Sequence, residues 1–91
     1  MHVRWSPESA EDLSQIVAYI RLDNSSAAQR VAQTIYAGAS RLRKFPYRGR
    51  MGRVEGTREL PLPPLPFVIV YRVLPEAVEI SNIIHGAQRW P

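Results

Sequence analysis

The spacing of apolar residues along the chain predicts one short strand followed by two amphipathic helices. His2–Trp5 alternates in polarity and precedes a helix start, with Ser6 as N-cap and Pro7 at the first helical position. Apolar residues then recur every three or four positions in two stretches, which the polar residues 23–26 separate. They are Ala10, Leu13, Ile16, Val17 and Ile20, and then Ala28, Val31, Ala32, Ile35, Ala39 and Leu42. Pro46 ends the second helix, and the short connection predicts an antiparallel helix pair.

The second half of the chain predicts three strands after an arginine-rich loop. This segment, residues 47–56, has three glycines and three arginines without a hydrophobic period, and we call it the arginine loop. The strands are predicted at residues 57–62, 67–74 and 78–84. The order β-α-α-β-β-β indicates one α+β domain, residues 1–91, in which a helical hairpin packs on one face of a small, mostly antiparallel sheet. The other face of the sheet is expected to be partly open.

The positive charge of the chain is concentrated in one segment. The net charge is +4, from 12 basic and 8 acidic side chains, whereas residues 41–58 alone have seven basic residues against Glu55. Such a concentration attracts a polyanion or an acidic partner, although an ordinary solvated loop is the alternative. We expect Arg48, Arg50 and Arg53 to bind that partner, because a guanidinium can donate two hydrogen bonds at once to a carboxylate or phosphate.

Composition and motifs argue against several kinds of site. The chain has no cysteine, and its two histidines lie at opposite ends without metal-ligand spacing. It has no nucleophile elbow and no glycine loop that precedes a helix. We therefore expect no metal and no cofactor. The longest apolar run, residues 67–71, is far below the ~20 residues of a membrane span, and the N-terminus does not resemble an export signal. A cytoplasmic protein without membrane contact is expected.

The end of the last predicted strand and the tail after it contain three candidate residues. Strict alternation places His85 on one face with Glu79 and Ile83, where an imidazole can act as general acid or base in phosphodiester cleavage. The alternative is a histidine that caps the strand end. Arg89 and Trp90 are candidates for partner binding, because arginine and tryptophan dominate interface energies. Trp90 has the alternative of packing the tail onto the domain.

Two arginines in the predicted strands complete the candidates. Arg72 interrupts the most apolar strand, and a buried unpaired charge is too costly to keep. It is therefore expected either on the open sheet face or paired with Glu59 or Glu79. If the protein cleaves phosphodiesters, Arg58 and Arg72 are candidates for stabilising the charged transition state.

Four stretches of the chain resemble the RelE/ParE toxins of type II toxin–antitoxin modules. They are Ser-Pro-Glu-Ser-Ala-Glu-Asp-Leu at residues 6–13, Phe-Pro-Tyr-Arg-Gly-Arg with Gly-Arg-Val-Glu-Gly-Thr-Arg-Glu-Leu within residues 45–60, Phe-Val-Ile-Val-Tyr-Arg-Val at 67–73 and Ile-His-Gly-Ala-Gln-Arg-Trp-Pro at 84–91. The similarity spans nearly the whole chain. It implies the two-helix, small-sheet fold predicted above and a growth-inhibiting toxin that an antitoxin encoded beside it holds inactive.

The resemblance also implies partners and a biological role. The antitoxin is expected to be of the ribbon-helix-helix type with an acidic C-terminal segment, and to form a hetero-oligomer with the toxin. Members of the family act in plasmid or chromosomal segment maintenance. An arginine-rich loop suits an acidic antitoxin electrostatically.

Two targets are implied by the two branches of the family. RelE-like members cleave mRNA in the ribosome. They have an arginine near the position of Val68 and a lysine-rich surface. This chain has an uncharged valine there, and Lys44 is its single lysine. The end of the chain resembles the ParE branch, whose members act on DNA gyrase. We therefore favour a gyrase inhibitor. The alternatives are a ribosome-dependent mRNA endoribonuclease, with Arg58, Arg72 and His85 as catalytic residues, and a small basic nucleic-acid-binding module.

Overall fold

The computed structural model describes all 91 residues and confirms the predicted α+β fold, with one additional strand. The elements are β1 (His2–Trp5), α1 (Pro7–Arg21), α2 (Ser25–Arg41), β2 (Arg50–Met51), β3 (Arg58–Pro61), β4 (Phe67–Val73) and β5 (Ala77–His85). The five strands form one sheet in the order β1-β5-β4-β3-β2, in which β1 is parallel to β5 and the other neighbours are antiparallel. The prediction that residues 47–56 form a loop throughout is wrong, because Arg50 and Met51 form the short strand β2 and pair with β3.

Side-chain caps fix the start of both helices. The hydroxyl of Ser6 accepts the N–H of Ser9 at 3.0 Å, and the amide oxygen of Asn24 accepts the N–H of Ala27 at 2.9 Å. Ser6 also ties α1 to the sheet, since its own N–H donates to the carbonyl of Ile80 at 2.9 Å. Neither α1 nor α2 combines the length and the apolar character that a membrane-spanning helix needs.

The main core lies between the helical hairpin and one face of the sheet. Its nine buried residues are Ile35, Ala39, Leu42, Leu60, Ile69, Tyr71, Val78, Ile80 and Ile83. Fully burying a valine, leucine or isoleucine side chain stabilises a fold by roughly 1.5–3 kcal/mol. The core therefore joins α2 to the three central strands, and these strands carry the candidate site.

A β-bulge in β5 changes which residues face the helices. The pairing of β4 with β5 shifts at Ser81, which has no residue opposite it. Ile83 therefore lies with Ile80 in the core under the helices, where strict alternation would have put it on the other face. The prediction that His85 shares a face with Glu79 is wrong for the same reason. His85 lies on the helix side of the sheet.

Asp12 of α1 closes the part of β5 that β1 leaves uncovered. β1 pairs with β5 only as far as Ile80, so the strand has an open edge beyond that point. The carboxylate of Asp12 accepts the N–H of Ile83 at 3.0 Å and the side-chain amide of Asn82 at 3.1 Å. An edge protected in this way does not present unpaired donors to another chain.

Replacing Asp12 by alanine is expected to lower the free energy of unfolding by about 1–3 kcal/mol, because the buried N–H of Ile83 loses its acceptor. Urea denaturation measures the change. Glu11→Ala is the matched control at the preceding helix position, where the carboxylate accepts a hydrogen bond only from the exposed Gln15. Its effect is expected to stay within about 0.5 kcal/mol. Equal effects of the two substitutions would contradict the role of Asp12.

Candidate docking surface

A buried carboxylate organises the arginine loop. Glu59 of β3 is only 1% exposed and lies opposite Arg50 of β2. Its Oε2 accepts the backbone N–H of Arg53 at 2.9 Å and the Nε of the same residue at 3.1 Å. Its Oε1 accepts Nη2 of Arg53 and Nη2 of Arg50, each at 3.2 Å. Two guanidinium groups and one backbone amide thus compensate a charge that would be costly to bury alone.

The hydrogen bonds to Glu59 determine its ionisation. Burial by itself raises the pKa of this carboxyl, because the charged form loses hydration. The side-chain and backbone hydrogen bonds from Arg53, the hydrogen bond from Arg50 and the charge of Arg53 outweigh burial and lower the pKa from 4.5 to about 2. Glu59 is therefore ionised at neutral pH. Its pairing with Arg72, one of the sequence-based alternatives, is wrong, because Arg50 and Arg53 occupy both carboxylate oxygens.

Tyr71 holds the start of the arginine loop from the core side. Its side chain is fully buried, and its hydroxyl donates to the carbonyl of Pro46 and accepts the N–H of Gly49, each at 2.8 Å. Burial raises the pKa of Tyr71, so the hydroxyl stays a donor at neutral pH. A Cβ atom at Gly49 would lie 2.6 Å from this hydroxyl oxygen, so the close approach requires glycine.

Arg58 and Arg72 contact the backbone of the arginine loop from the two faces of the sheet. Nη1 of Arg58 donates to the carbonyl of Gly49 at 2.8 Å, and its guanidinium lies 5.0 Å from the ring centre of Tyr47. Nη1 of Arg72 donates to the carbonyl of Glu55 at 3.4 Å. Arg72 lies on the sheet face away from the helices, which was one of its two predicted placements, and it forms no ion pair.

The three candidate catalytic residues do not meet in the structure. His85 lies opposite Phe67 at one end of β4, whereas Arg72 is five residues further along that strand. Their backbones are therefore about 17 Å apart, and the two side chains point to opposite faces of the sheet. His85 packs edge-on against Phe67 at 5.9 Å between ring centres, and its Nδ1 accepts the N–H of Ala87 at 3.1 Å. The geometry corresponds to the alternative in which this histidine caps the strand end.

The C-terminal tail covers part of the sheet face away from the helices. Trp90 packs against three buried residues, Val68, Val70 and Ile84. Nη1 of Arg53 reaches the carbonyl of Gln88 at 3.5 Å, which joins the tail to the arginine loop. The predicted open face is therefore partly closed by the chain itself, and Arg89 lies exposed beside Trp90.

The predicted docking arginines fall into two groups. Arg50 and Arg53 are paired with Glu59, although their side chains remain 59% and 40% exposed. Arg48 and Arg89 are exposed and form no ion pair. Sequence reasoning did not single out Arg30 of α2, which lines the same cavity as Arg48. The available signal was its spacing of eleven residues, or about three helical turns, from Arg41.

Comparison with known proteins identifies the class. The family described as ParE toxin of type II toxin-antitoxin system, parDE, matches residues 3–90. The protein named "Putative toxin Y4kP" of Sinorhizobium fredii is 39% identical over 89 residues, which cover 98% of this chain and 92% of that protein. Toxin RelE2 of Caulobacter vibrioides is 37% identical over 86 residues, which cover 94% of this chain and 96% of that protein.

A solved structure described as "Chromosomal ParDE TA system from P. aeruginosa" has the same fold. It aligns with a TM-score of 0.83 at 28% identity, over 93% of this chain and 95% of that chain. These similarities define a toxin of a type II toxin–antitoxin system, as the resemblance in the sequence implied. The chain belongs to the ParE toxin family. Such a toxin has a cognate antitoxin as its partner.

Replacing Glu59 by glutamine is expected to lower the free energy of unfolding at pH 7 by about 3 kcal/mol, because two arginines lose their anionic partner. The ionised carboxylate stabilises the fold fully above pH 4.5, and this contribution is lost as the pH falls towards 2, since the folded-state pKa is the lower one. The shift from 4.5 to about 2 corresponds to about 3 kcal/mol. Urea denaturation between pH 2 and 7 therefore should show a flatter profile for the variant.

The control for this experiment is Glu76→Gln. Glu76 lies exposed in the turn between β4 and β5 and forms no ion pair. Its variant is expected to follow the pH profile of the unmodified toxin. If Glu59→Gln follows that profile as well, the buried carboxylate does not hold the loop.

Proposed function

We propose that this toxin inhibits DNA gyrase by binding to it, with no catalytic step of its own. The separation of Arg72 from His85 carries the argument. A general acid or base must lie within hydrogen-bond reach of the proton it transfers, and about 17 Å of strand lies between these two residues, which face opposite sides of the sheet. The match of residues 3–90 to the ParE family supports gyrase as the target, since members of the ParE branch act on it.

Ribosome-dependent mRNA cleavage is the second candidate, and the similarity to the protein named Toxin RelE2 favours it. Against it, Val68 is buried and apolar, and it lies near the position at which the RelE branch has an arginine early in this strand. In addition, Nη1 of Arg58 and Nη1 of Arg72 already donate to carbonyls of the arginine loop, so only the remaining N–H groups of these side chains would be free for phosphate.

We also propose how the antitoxin docks. The contact residues would be Arg48, Arg50, Arg53, Arg89 and Trp90. Because Glu59 holds two of these guanidinium groups in place, they lose little conformational freedom when an acidic segment binds. The proposed partner is a ribbon-helix-helix antitoxin with an acidic C-terminal segment, in a hetero-oligomer that acts in plasmid or segment maintenance. The single toxin domain, residues 1–91, would then work in the cytoplasm.

The purified toxin is expected to block supercoiling of relaxed plasmid by gyrase and to leave message intact in a cell-free translation system, read by primer extension. His85→Ala should inhibit supercoiling as strongly as the unmodified toxin, because the histidine only caps a strand end. Cut message together with normal supercoiling would overturn the proposal. Loss of message cleavage in His85→Ala would then assign that histidine to a nuclease.

Arg48→Gln is expected to weaken antitoxin binding by up to about fivefold at low salt, since an exposed charge pair contributes at most about 1 kcal/mol. Its unfolding free energy should stay within about 0.5 kcal/mol, because the side chain is exposed and forms no ion pair. Arg53→Gln should lower both the affinity for the antitoxin and the free energy of unfolding, since it also removes an ion-pair partner of the buried Glu59. Calorimetric titration with the antitoxin and urea denaturation measure the two effects. Arg21→Gln, in the last turn of α1, is the control for net charge, and an equal loss of affinity there would contradict docking at Arg48.

A further inference from the structure

A basic groove lies between α2 and the end of β3, on the side of the domain where β3 is not covered by another strand. Its volume is about 570 Å³. Its lining residues are Arg30, Gln33, Thr34, Ala37, Gly38, Arg41, Arg48, Pro61, Leu62 and Pro63. We call it the α2–β3 groove. It shares Arg48 with the docking surface described above and is otherwise separate from it.

The positive charge of the α2–β3 groove is not neutralised within the protein. Its lining contains three arginines and no carboxylate, and none of the three forms an ion pair. Arg30 and Arg41 lie on the same face of α2, since eleven residues make about three turns. Their backbones are about 16 Å apart along the helix axis, a distance that an extended peptide covers in about five residues.

The strand side of the groove offers almost no hydrogen-bond donors. β2 covers β3 only at Arg58 and Glu59, so the strand has an open edge beyond these residues. That edge contains Pro61 and is followed by Pro63, and neither has an N–H to donate to an added strand. The arginines on the opposite wall are donors without acceptor capacity. A ligand in the groove must therefore supply acceptors, and charged acceptors bind guanidinium groups most strongly.

The lining distinguishes between the two common polyanions. Single-stranded nucleic acid is held by stacking its bases on aromatic side chains, and no aromatic residue lines the groove. The lining instead includes the small residues Ala37 and Gly38, which lie between Arg30 and Arg41 along α2. We infer that the α2–β3 groove binds an extended acidic segment of a polypeptide, with carboxylates about five residues apart on Arg30 and Arg41. The inference rests on the proposed function in one respect, since the antitoxin would supply that segment.

The test is direct binding of a labelled ten-residue peptide of glutamate and alanine in which glutamates lie five residues apart, measured by fluorescence anisotropy at low salt. A ten-nucleotide single-stranded DNA with the same label is the competing ligand. The double variant Arg30→Gln, Arg41→Gln is expected to bind the peptide about tenfold more weakly. The matched control Arg21→Gln, Arg43→Gln removes the same charge from exposed positions outside the groove, and its affinity should change less than about twofold.

Three results would overturn the inference: absence of peptide binding, equal losses in both double variants, or tighter binding of the DNA that depends on Arg30 and Arg41. The last result would assign the groove to nucleic acid. All four altered side chains are exposed, so both variants should unfold at the same urea concentration as the unmodified toxin. Failure in this assay leaves gyrase inhibition unaffected, and a toxin that does not inhibit gyrase can still bind the peptide through this groove.

Discussion

The arginine loop keeps one shape because Glu59 is held out of water between two guanidinium groups. The loop has few apolar residues to bury, so the hydrophobic effect that holds the helices on the sheet contributes little to it. A buried carboxylate without partners would cost several kcal/mol, and here the partners come from the loop itself. The loop and the end of β3 therefore depend on each other, and Tyr71 fixes the point at which the loop leaves the core.

This arrangement changes where the positive charge of the protein is available. Residues 41–58 contain most of the basic side chains, yet Arg50 and Arg53 share one internal carboxylate, and Arg58 is directed at a backbone carbonyl. Arg48 within the loop and the nearby Arg30 and Arg41 of α2 form no ion pair inside the protein. A partner that follows the positive potential would therefore meet the prearranged arginines of the loop and the α2–β3 groove together, since Arg48 borders both.

Local signals in the sequence predicted the helices well and the site only in part. Ser6 and Asn24 cap α1 and α2 through bonds that span three residues, so the sequence near each cap contains the information. The two-residue strand β2 forms only because the loop returns to β3, and no local pattern reports that pairing. The ion pairs of Arg50 and Arg53 with Glu59 depend on the same pairing register of β2 with β3. The bulge at Ser81 likewise inverts the alternation on which the position of His85 was predicted.

The use of arginines as structural side chains bears on the kind of toxin this chain can be. Catalysis of phosphodiester cleavage requires charged groups that converge on one reacting atom. Here Arg58 and Arg72 are directed at loop carbonyls from opposite faces of the sheet, and His85 caps a strand at its far end. A binding inhibitor needs no such convergence, because its affinity comes from a rigid surface whose side chains are already in position. The ion cluster at Glu59 provides that rigidity, so the interaction that removes free charge from the loop also favours inhibition by binding over inhibition by cleavage.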